Sequence, residues 1–162
     1  HRKGLLVDLI SEVSVGNETA WRQVTTFLHQ QRTSLSDEPK PEPAKAPKLP
    51  PPNSILKITP GQIRRYASIG GDHNPIHTSG IGAKLFGFPT AIAHGMFSAA
   101  AILANIEGQL PTAVDYSVRF GKPVLLPASV GVYTERVVDG WDLSMRNLKK
   151  GYPHLTATVR GR

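Results

Sequence analysis

The stretch from Gly95 to about Glu107 limits the possible folds more than any other part of the chain. Met96, Phe97, Ala99, Ala100, Ala101, Ile102, Leu103 and Ile106 put apolar groups on nearly every face of a helix that Gly95 opens and Gly108 is placed to end. A helix without a polar face has to be enclosed. Beyond Pro111 the residues alternate: Tyr116, Val118 and Phe120 in one run, Val130 and Val132 in the next, a run around Leu143 to Leu148, then Leu155, Ala157 and Val159. Alternation with a period of two marks strands with one buried face. Asp139-Gly140 and Lys150-Gly151-Tyr152-Pro153 supply hairpin turns, which makes the expected pairing antiparallel. The pattern predicts an α+β domain in which a curved antiparallel sheet wraps around a long buried helix.

Upstream, the apolar run Ser54 to Ile58 leads into Thr59-Pro60-Gly61-Gln62, which has capping-box spacing with Pro at the first helical position. A short helix is expected through Ile63 and Tyr66 to a stop at Gly70-Gly71, and another from about Ile81 to Leu85. Seven of the fourteen prolines fall between Pro39 and Pro52, interleaved with Lys, Glu and Ala, a composition that favours extended chain. Residues 31–53 therefore read as a linker between an N-terminal piece, residues 1–30, that is too short to hold a core, and a main domain, residues 54–162. A shift of 123 positions sets Val7 on Val130, Leu9 on Val132, Glu12 on Glu135 and Val15 on Val138, with Gly16-Asn17 near Asp139-Gly140. On that echo, residues 1–30 are expected to be the last hairpin of a second, similar domain. The chain opens on His1 rather than Met, so it is expected to be part of something longer.

Composition narrows the chemistry. With no cysteine there is no disulfide, thiolate nucleophile or cysteine zinc site. No apolar run reaches the eighteen or so residues of a membrane span and no signal peptide is evident, so the expected location is cytoplasmic and no membrane partner is expected. The net charge of +7 is concentrated in residues 118–162, where eight basic residues face three acidic ones. The excess lies on Arg119, Lys122, Arg136, Arg146, Lys149, Lys150, Arg160 and Arg162. Such a field suits an acidic partner, whether nucleic acid, a phosphorylated cofactor such as coenzyme A or an acidic carrier protein, although a solvated charged face would look the same.

The candidate site lies in Gly71-Asp72-His73-Asn74-Pro75-Ile76-His77 and in Ala93-His94-Gly95-Met96. A carboxylate and an imidazole five positions apart, separated by a rigid Asn-Pro turn, can move protons near neutral pH. Gly95 opens a helix whose free N–H groups can stabilise an oxygen that becomes negative during reaction. Asp72, His77 and Gly95 are thus the catalytic candidates, pointing to acid–base chemistry beside a carbonyl. Asp72 to Pro75 could also be simple turn chemistry. A metal site built from Asp72, His73, His77 and His94 is a further reading, and the expectation is that there is none. Ser98, one turn into the helix, packs, touches substrate or orients the motif, and the sequence leaves these open.

Together these residues resemble the MaoC-like dehydratases, the R-specific enoyl thioester hydratases of the hot dog fold. Their pattern of Tyr or Phe followed by Gly-Asp-x-Asn-Pro-Ile/Leu-His is similar to Tyr66 and Gly71 to His77, and Ala-His-Gly-Met to Ala93 to Met96. Arg119 to Val124 resembles the family's strand after the central helix. The resemblance spans residues 54–162. It implies reversible addition of water to a trans-2-enoyl thioester, giving an (R)-3-hydroxyacyl thioester, in fatty acid metabolism. Asp72 and His77 would hold and activate the water, and the Gly95 N–H would hold the thioester oxygen. Asn74, His94, Met96 and Ser98 would line the substrate, with no cofactor and no metal. The implied partner is an acyl-CoA or acyl carrier protein thioester, and the domain is expected to pair with a second hot dog. The two-hot-dog bacterial dehydratases are the nearest type, with a first domain that lacks the motif and accommodates the acyl tail. A non-catalytic acyl-binding subunit and a thioesterase remain as rivals. Nucleic acid is not expected, because the basic residues lack an interleaved aromatic platform.

Overall fold

The computed structural model of the protein describes residues 3–37 and 50–162. The chain divides into two compact units, His1–Lys45 and Ala46–Arg162. Most of the Pro-rich stretch lies outside the described residues.

In the first unit, β1 (Gly4–Val15) and β2 (Glu18–Gln30) form an antiparallel ribbon, from Gly4 opposite Gln30 to Val15 opposite Glu18. Gly16, with φ +61°, makes the turn that a residue with a Cβ resists. Cross-strand polar pairs line the ribbon, Arg22 with Glu12 at 3.1 Å and Thr26 with Asp8 at 2.7 Å. Its apolar side chains stay in the open: Leu6, Leu9, Trp21 and Phe27 are each about half exposed. Two strands cannot bury a core between them.

The second unit opens with β3 (Ser54–Ile58) and α1 (Pro60–Gly70). Thr59 caps α1: its hydroxyl oxygen accepts from the Gln62 amide at 3.3 Å while Gln62 Oε1 accepts from the Thr59 amide at 2.8 Å. Gly71 ends the helix in the left-handed conformation, φ +73°, with its N–H donating to the Ala67 carbonyl. Two short helices follow, α2 (Pro75–Thr78) and α3 (Gly80–Leu85), then α4 (Gly95–Leu103) and a 3-10 turn at Ala104–Ile106. Strands β4 (Val114–Phe120), β5 (Ala128–Val137), β6 (Gly140–Asn147) and β7 (Pro153–Gly161) complete the unit. The sheet runs β3-β5-β6-β7-β4, antiparallel throughout. Val130, Val132, Leu143, Met145, Leu155, Ala157 and Val159 are buried and pack with Ala99, Ile102 and Ile106. Each wholly buried Ile or Leu removed from water contributes about 1.5–3 kcal/mol, so this contact holds the helix to the sheet. The Tyr116 hydroxyl adds a tether by donating to the Ala99 carbonyl at 2.8 Å. This is the sheet-and-helix layout of the hot dog fold.

Three local expectations change. The central helix is nine residues long rather than about thirteen, and it tightens into the 3-10 turn before Gly108. It is also not buried all round: Ser98, Ala99 and Ile102 face the core, while Met96 is 63% exposed and Ala100 is open. One sheet can cover only one side of a helix, so an apolar residue on the far side is left exposed in this unit. The Asp/His motif, read as a rigid Asn-Pro turn, contains α2. Pro75 at its first position and Asn74 as its cap make even four residues helical. No described helix is long and apolar enough to cross a membrane.

Candidate active site

The motif loop sets its own geometry. Asp72 Oδ1 accepts from the Asn74 amide at 3.2 Å, and Asn74 Oδ1 accepts from the Ile76 amide at 3.2 Å. These consecutive Asx-type turns feed into α2 and place His77 one helical turn beyond Asn74, whose carbonyl accepts the His77 amide at 3.0 Å. Asp72 is left with Oδ2 unengaged by the turn.

The second half of the site is held by a short extended segment. Ile92 donates its amide to the Ile76 carbonyl at 3.0 Å, Ala93 to Val124 at 2.9 Å, and Leu126 to Ala91 at 2.8 Å. Ile92 and Leu125 form an isolated antiparallel bridge. Residues 91–93 are thus fixed on both sides, and His94 and Gly95 emerge from them into α4.

His94 is the hub. It is 2% exposed, and its ring stacks on that of His77 with centroids 3.8 Å apart. Its Nε2 lies 2.9 Å from the Asp72 carbonyl oxygen and 3.6 Å from Asp72 Oδ2. Tyr66 packs beside it at 5.1 Å and Phe97 beside Tyr66 at 5.6 Å. Ser98 donates its hydroxyl to the His94 carbonyl at 3.2 Å.

Hydrogen-bond polarity assigns the protons. A carbonyl oxygen can only accept, so His77 Nδ1, 2.9 Å from the Ile92 carbonyl, carries a hydrogen and donates. In the neutral ring, Nε2 then holds the lone pair and is the basic atom. The same reasoning makes His94 Nε2 a donor to Asp72, leaving buried Nδ1 without a partner. Two histidines in contact therefore differ in kind: His77 offers a base and His94 offers a donor.

Gly95 begins α4. No side chain caps this helix end, and the Gly95 amide has no hydrogen-bond partner among the described residues. A Cβ here would lie 3.1 Å from Phe120 Cε1, so the glycine also lets the helix approach β4 closely. The close contact with Phe120 is a packing reason for a glycine at this position.

The expected residues can now be placed. Asp72 and His77 come together through His94, whose chain neighbour is Gly95. Met96 lies exposed in the open first turn of α4. Asn74 and Ser98 have their side-chain oxygens engaged, in capping α2 and in bonding the His94 carbonyl. His73 is exposed and outside the cluster. One donor atom each from Asp72, His77 and His94 lie within 4.8 Å of one another, close enough for a cation to draw them in. His94 Nε2 is committed as a donor, so of its two ring nitrogens only Nδ1 keeps a lone pair to offer. Two parts of the site carry no residue-type signal: the Ile92 carbonyl that sets the His77 tautomer, and Phe120, which in sequence is only another strand residue.

Comparison with known proteins adds four findings. A family model described as "MaoC like domain" matches residues 41–157. The chain is 73% identical over 161 residues to 3-hydroxyacyl-thioester dehydratase X of Mycobacterium tuberculosis, covering 99% of this chain and 58% of that protein. Among solved structures, that of HtdX from Mycobacterium tuberculosis matches with a TM-score of 0.78 and 70% identity, covering 100% of this chain and 64% of the other. R-hydratase PhaJ1 from Pseudomonas aeruginosa matches with a TM-score of 0.52 and 25% identity over 68% of this chain and 79% of its own. The chain thus spans less than two thirds of the relatives it matches most fully.

Proposed function

The chain belongs to the MaoC-like domain family, and from that premise we propose that it carries the catalytic half of a 3-hydroxyacyl-thioester dehydratase. The reaction is reversible addition of water to a trans-2-enoyl thioester. The observation that supports this reading is that one donor atom each of Asp72, His77 and His94 lie within 4.8 Å of one another, and that His94 leads directly into Gly95 at the uncapped start of α4. In the hydration direction, the thioester oxygen accepts from the Gly95 N–H. Asp72 and His77 hold a water beside carbon three. His77 Nε2 takes a proton as the water oxygen bonds to carbon three, and electron density moves to the thioester oxygen as an enolate. The Gly95 amide and the positive end of α4 stabilise that charge; such a donor typically lowers the barrier by about 2.7–4 kcal/mol. The imidazolium, balanced by the Asp72 carboxylate, then returns the proton to carbon two. No net proton or electron is gained or lost.

The ribbon of the first unit is assigned here to a second hot dog domain. It has the long antiparallel hairpin that the 123-residue echo of β5 and β6 requires, with apolar side chains exposed on it that a domain core would cover.

The test is to mix the protein with a trans-2-enoyl-CoA and follow the conjugated thioester absorbance together with free thiol. Loss of conjugation without thiol is the expected result. Release of thiol would make the protein a thioesterase, and no change in either signal would leave an acyl-binding subunit.

A further inference from the structure

We propose that His94 is a positioning residue that sets the acid and the base of the site in one geometry, its Nε2–H holding the Asp72 backbone and its ring face fixing the direction of the His77 Nε2 lone pair. This rests on the reading that the Asp72, His77 and Gly95 cluster acts on an enoyl thioester. The bonds inside the motif shape its turns only: the Asn74 amide donates to Asp72 Oδ1 and the Ile76 amide to Asn74 Oδ1, both at 3.2 Å. Each is exposed to water and contributes about 0.5–1.5 kcal/mol. None of the four residues of α2 is buried. What anchors the motif to the core therefore comes from outside it.

His94 is such an anchor, and it acts on both ends of the motif. Its Nε2 donates to the Asp72 carbonyl at 2.9 Å, a bond that spans 22 positions of chain. Residues 91–93, which deliver it, are bonded to Ile76, Val124 and Leu126, and Ser98 holds its carbonyl at 3.2 Å. The tie thus runs from an exposed loop to a buried and bonded segment. At the other end, the His77 ring has one hydrogen bond, from Nδ1 to the Ile92 carbonyl at 2.9 Å. A single bond of that kind leaves a ring free to turn about the line between its two atoms, and Nε2 would sweep with it. The His94 ring, 3.8 Å away between centroids and with its plane at 30°, blocks that turn. Edge and face together define where the His77 Nε2 lone pair points, which is what proton transfer at a fixed atom requires.

The same geometry separates this role from the alternatives. His94 does not carry the proton itself: its Nε2–H is given to Asp72, and Nδ1 is buried with no hydrogen-bond partner. It does not line the substrate, because at 2% exposure it has next to no surface to offer an acyl chain. A residue that only filled space would need neither the donor nor the ring face. Both are in use here.

The experiment uses two variants that each keep one contact. His94→Gln retains a side-chain N–H for Asp72 but has no ring, and His94→Phe retains a ring face but has no donor. Hydration of a trans-2-enoyl-CoA is followed for both, with thermal melts alongside. Each is expected to lose about tenfold or more in kcat with KM within about threefold of wild type, since neither contact is made to substrate. In a His77→Ala background the same substitutions are expected to cost less than about threefold further, because the group they position is gone. Full kcat in both variants, or a loss repeated in full in the His77→Ala background, would overturn the proposal. In parallel, 15N NMR of the histidine-labelled protein reads the two rings without turnover. A proton on Nδ1 of His77 and on Nε2 of His94 is expected in wild type, with the His77 signature giving way to a mixture of tautomers in His94→Gln. A His94 proton found on Nδ1 would overturn the proposal whether or not any variant folds. The expected tautomers in a protein that hydrates no ester would instead sink the catalytic reading and leave the role of His94 in holding His77 standing.

Discussion

Replacing Asp72 with Asn removes a negative charge and a basic oxygen while keeping the shape of the loop. The acceptor for the Asn74 amide, now 3.2 Å from Asp72 Oδ1, survives as the new amide carbonyl. The contact that suffers is on the other side, where Oδ2 stands 3.6 Å from His94 Nε2 and an amide NH2 would meet a donor. Because the Asp72 side chain is 55% exposed, water screens that pair, and folding stability is expected to change by no more than about 0.5 kcal/mol. Catalysis responds on another scale. In the mechanism above Asp72 holds the water and balances the His77 imidazolium, and loss of one such electrostatic contact typically costs about 10² to 10³ in rate, roughly 2.7 to 4 kcal/mol of barrier. The assay is the loss of enoyl thioester absorbance under saturating substrate, run beside a thermal melt. A variant that melts with wild type and turns over within about fivefold of it would refute the role given to Asp72. A variant that melts far lower would instead show that the loop depends on the charge, against the geometry argued here.

His77→Ala removes the Nε2 base and the bond to the Ile92 carbonyl; kcat is expected to fall at least about 10²-fold, with partial recovery in added imidazole, and recovery absent alongside a native melt would speak against proton transfer at that atom. Gly95→Ala keeps the backbone N–H but places a methyl 3.1 Å from Phe120 Cε1, so the helix end or the ring must give by a few tenths of an ångström; hydration followed by stopped flow is expected to slow, and an unchanged rate would show that the helix end holds its place despite the methyl. Asp115 is held below its ordinary value of 3.8 mainly by the hydrogen bond from Arg162, which outweighs the opposing desolvation, with the Arg162 charge adding a smaller lowering. A depressed carboxyl stabilises the fold above its unfolded value and loses that contribution as pH falls through the folded one. Arg162→Ala is therefore expected to bring the Asp115 carboxyl titration, followed by NMR, back up towards 3.8, and no upward movement would contradict the pairing.

Some elements were legible in the sequence because their causes are local. The Thr59-Gln62 capping box and the Gly71 stop bound α1 within the chain segment that spells them. Asp139-Gly140 closes the β5–β6 hairpin for the same reason. The extent and burial of α4 were not legible. Its residues are apolar on most faces, yet only the side that meets the sheet is buried, and sequence periodicity cannot say how many layers surround a helix. His94 read as a neighbour of Gly95; that it stacks on His77 depends on the chain returning through the Ile92–Leu125 bridge.

The amino-acid sequence alone determined which chemical groups are present and how each short segment turns: a carboxylate, two imidazoles and a glycine amide, each next to the cap or turn that shapes its own few residues. Only the tertiary structure decided what those groups can do. The proton on each ring is placed by a carbonyl from another segment, Ile92 for His77 and Asp72 for His94, and such a partner exists only once distant stretches have packed together. Local backbone preferences act over a few residues, whereas a base and a donor are distinguished by contacts made across the fold.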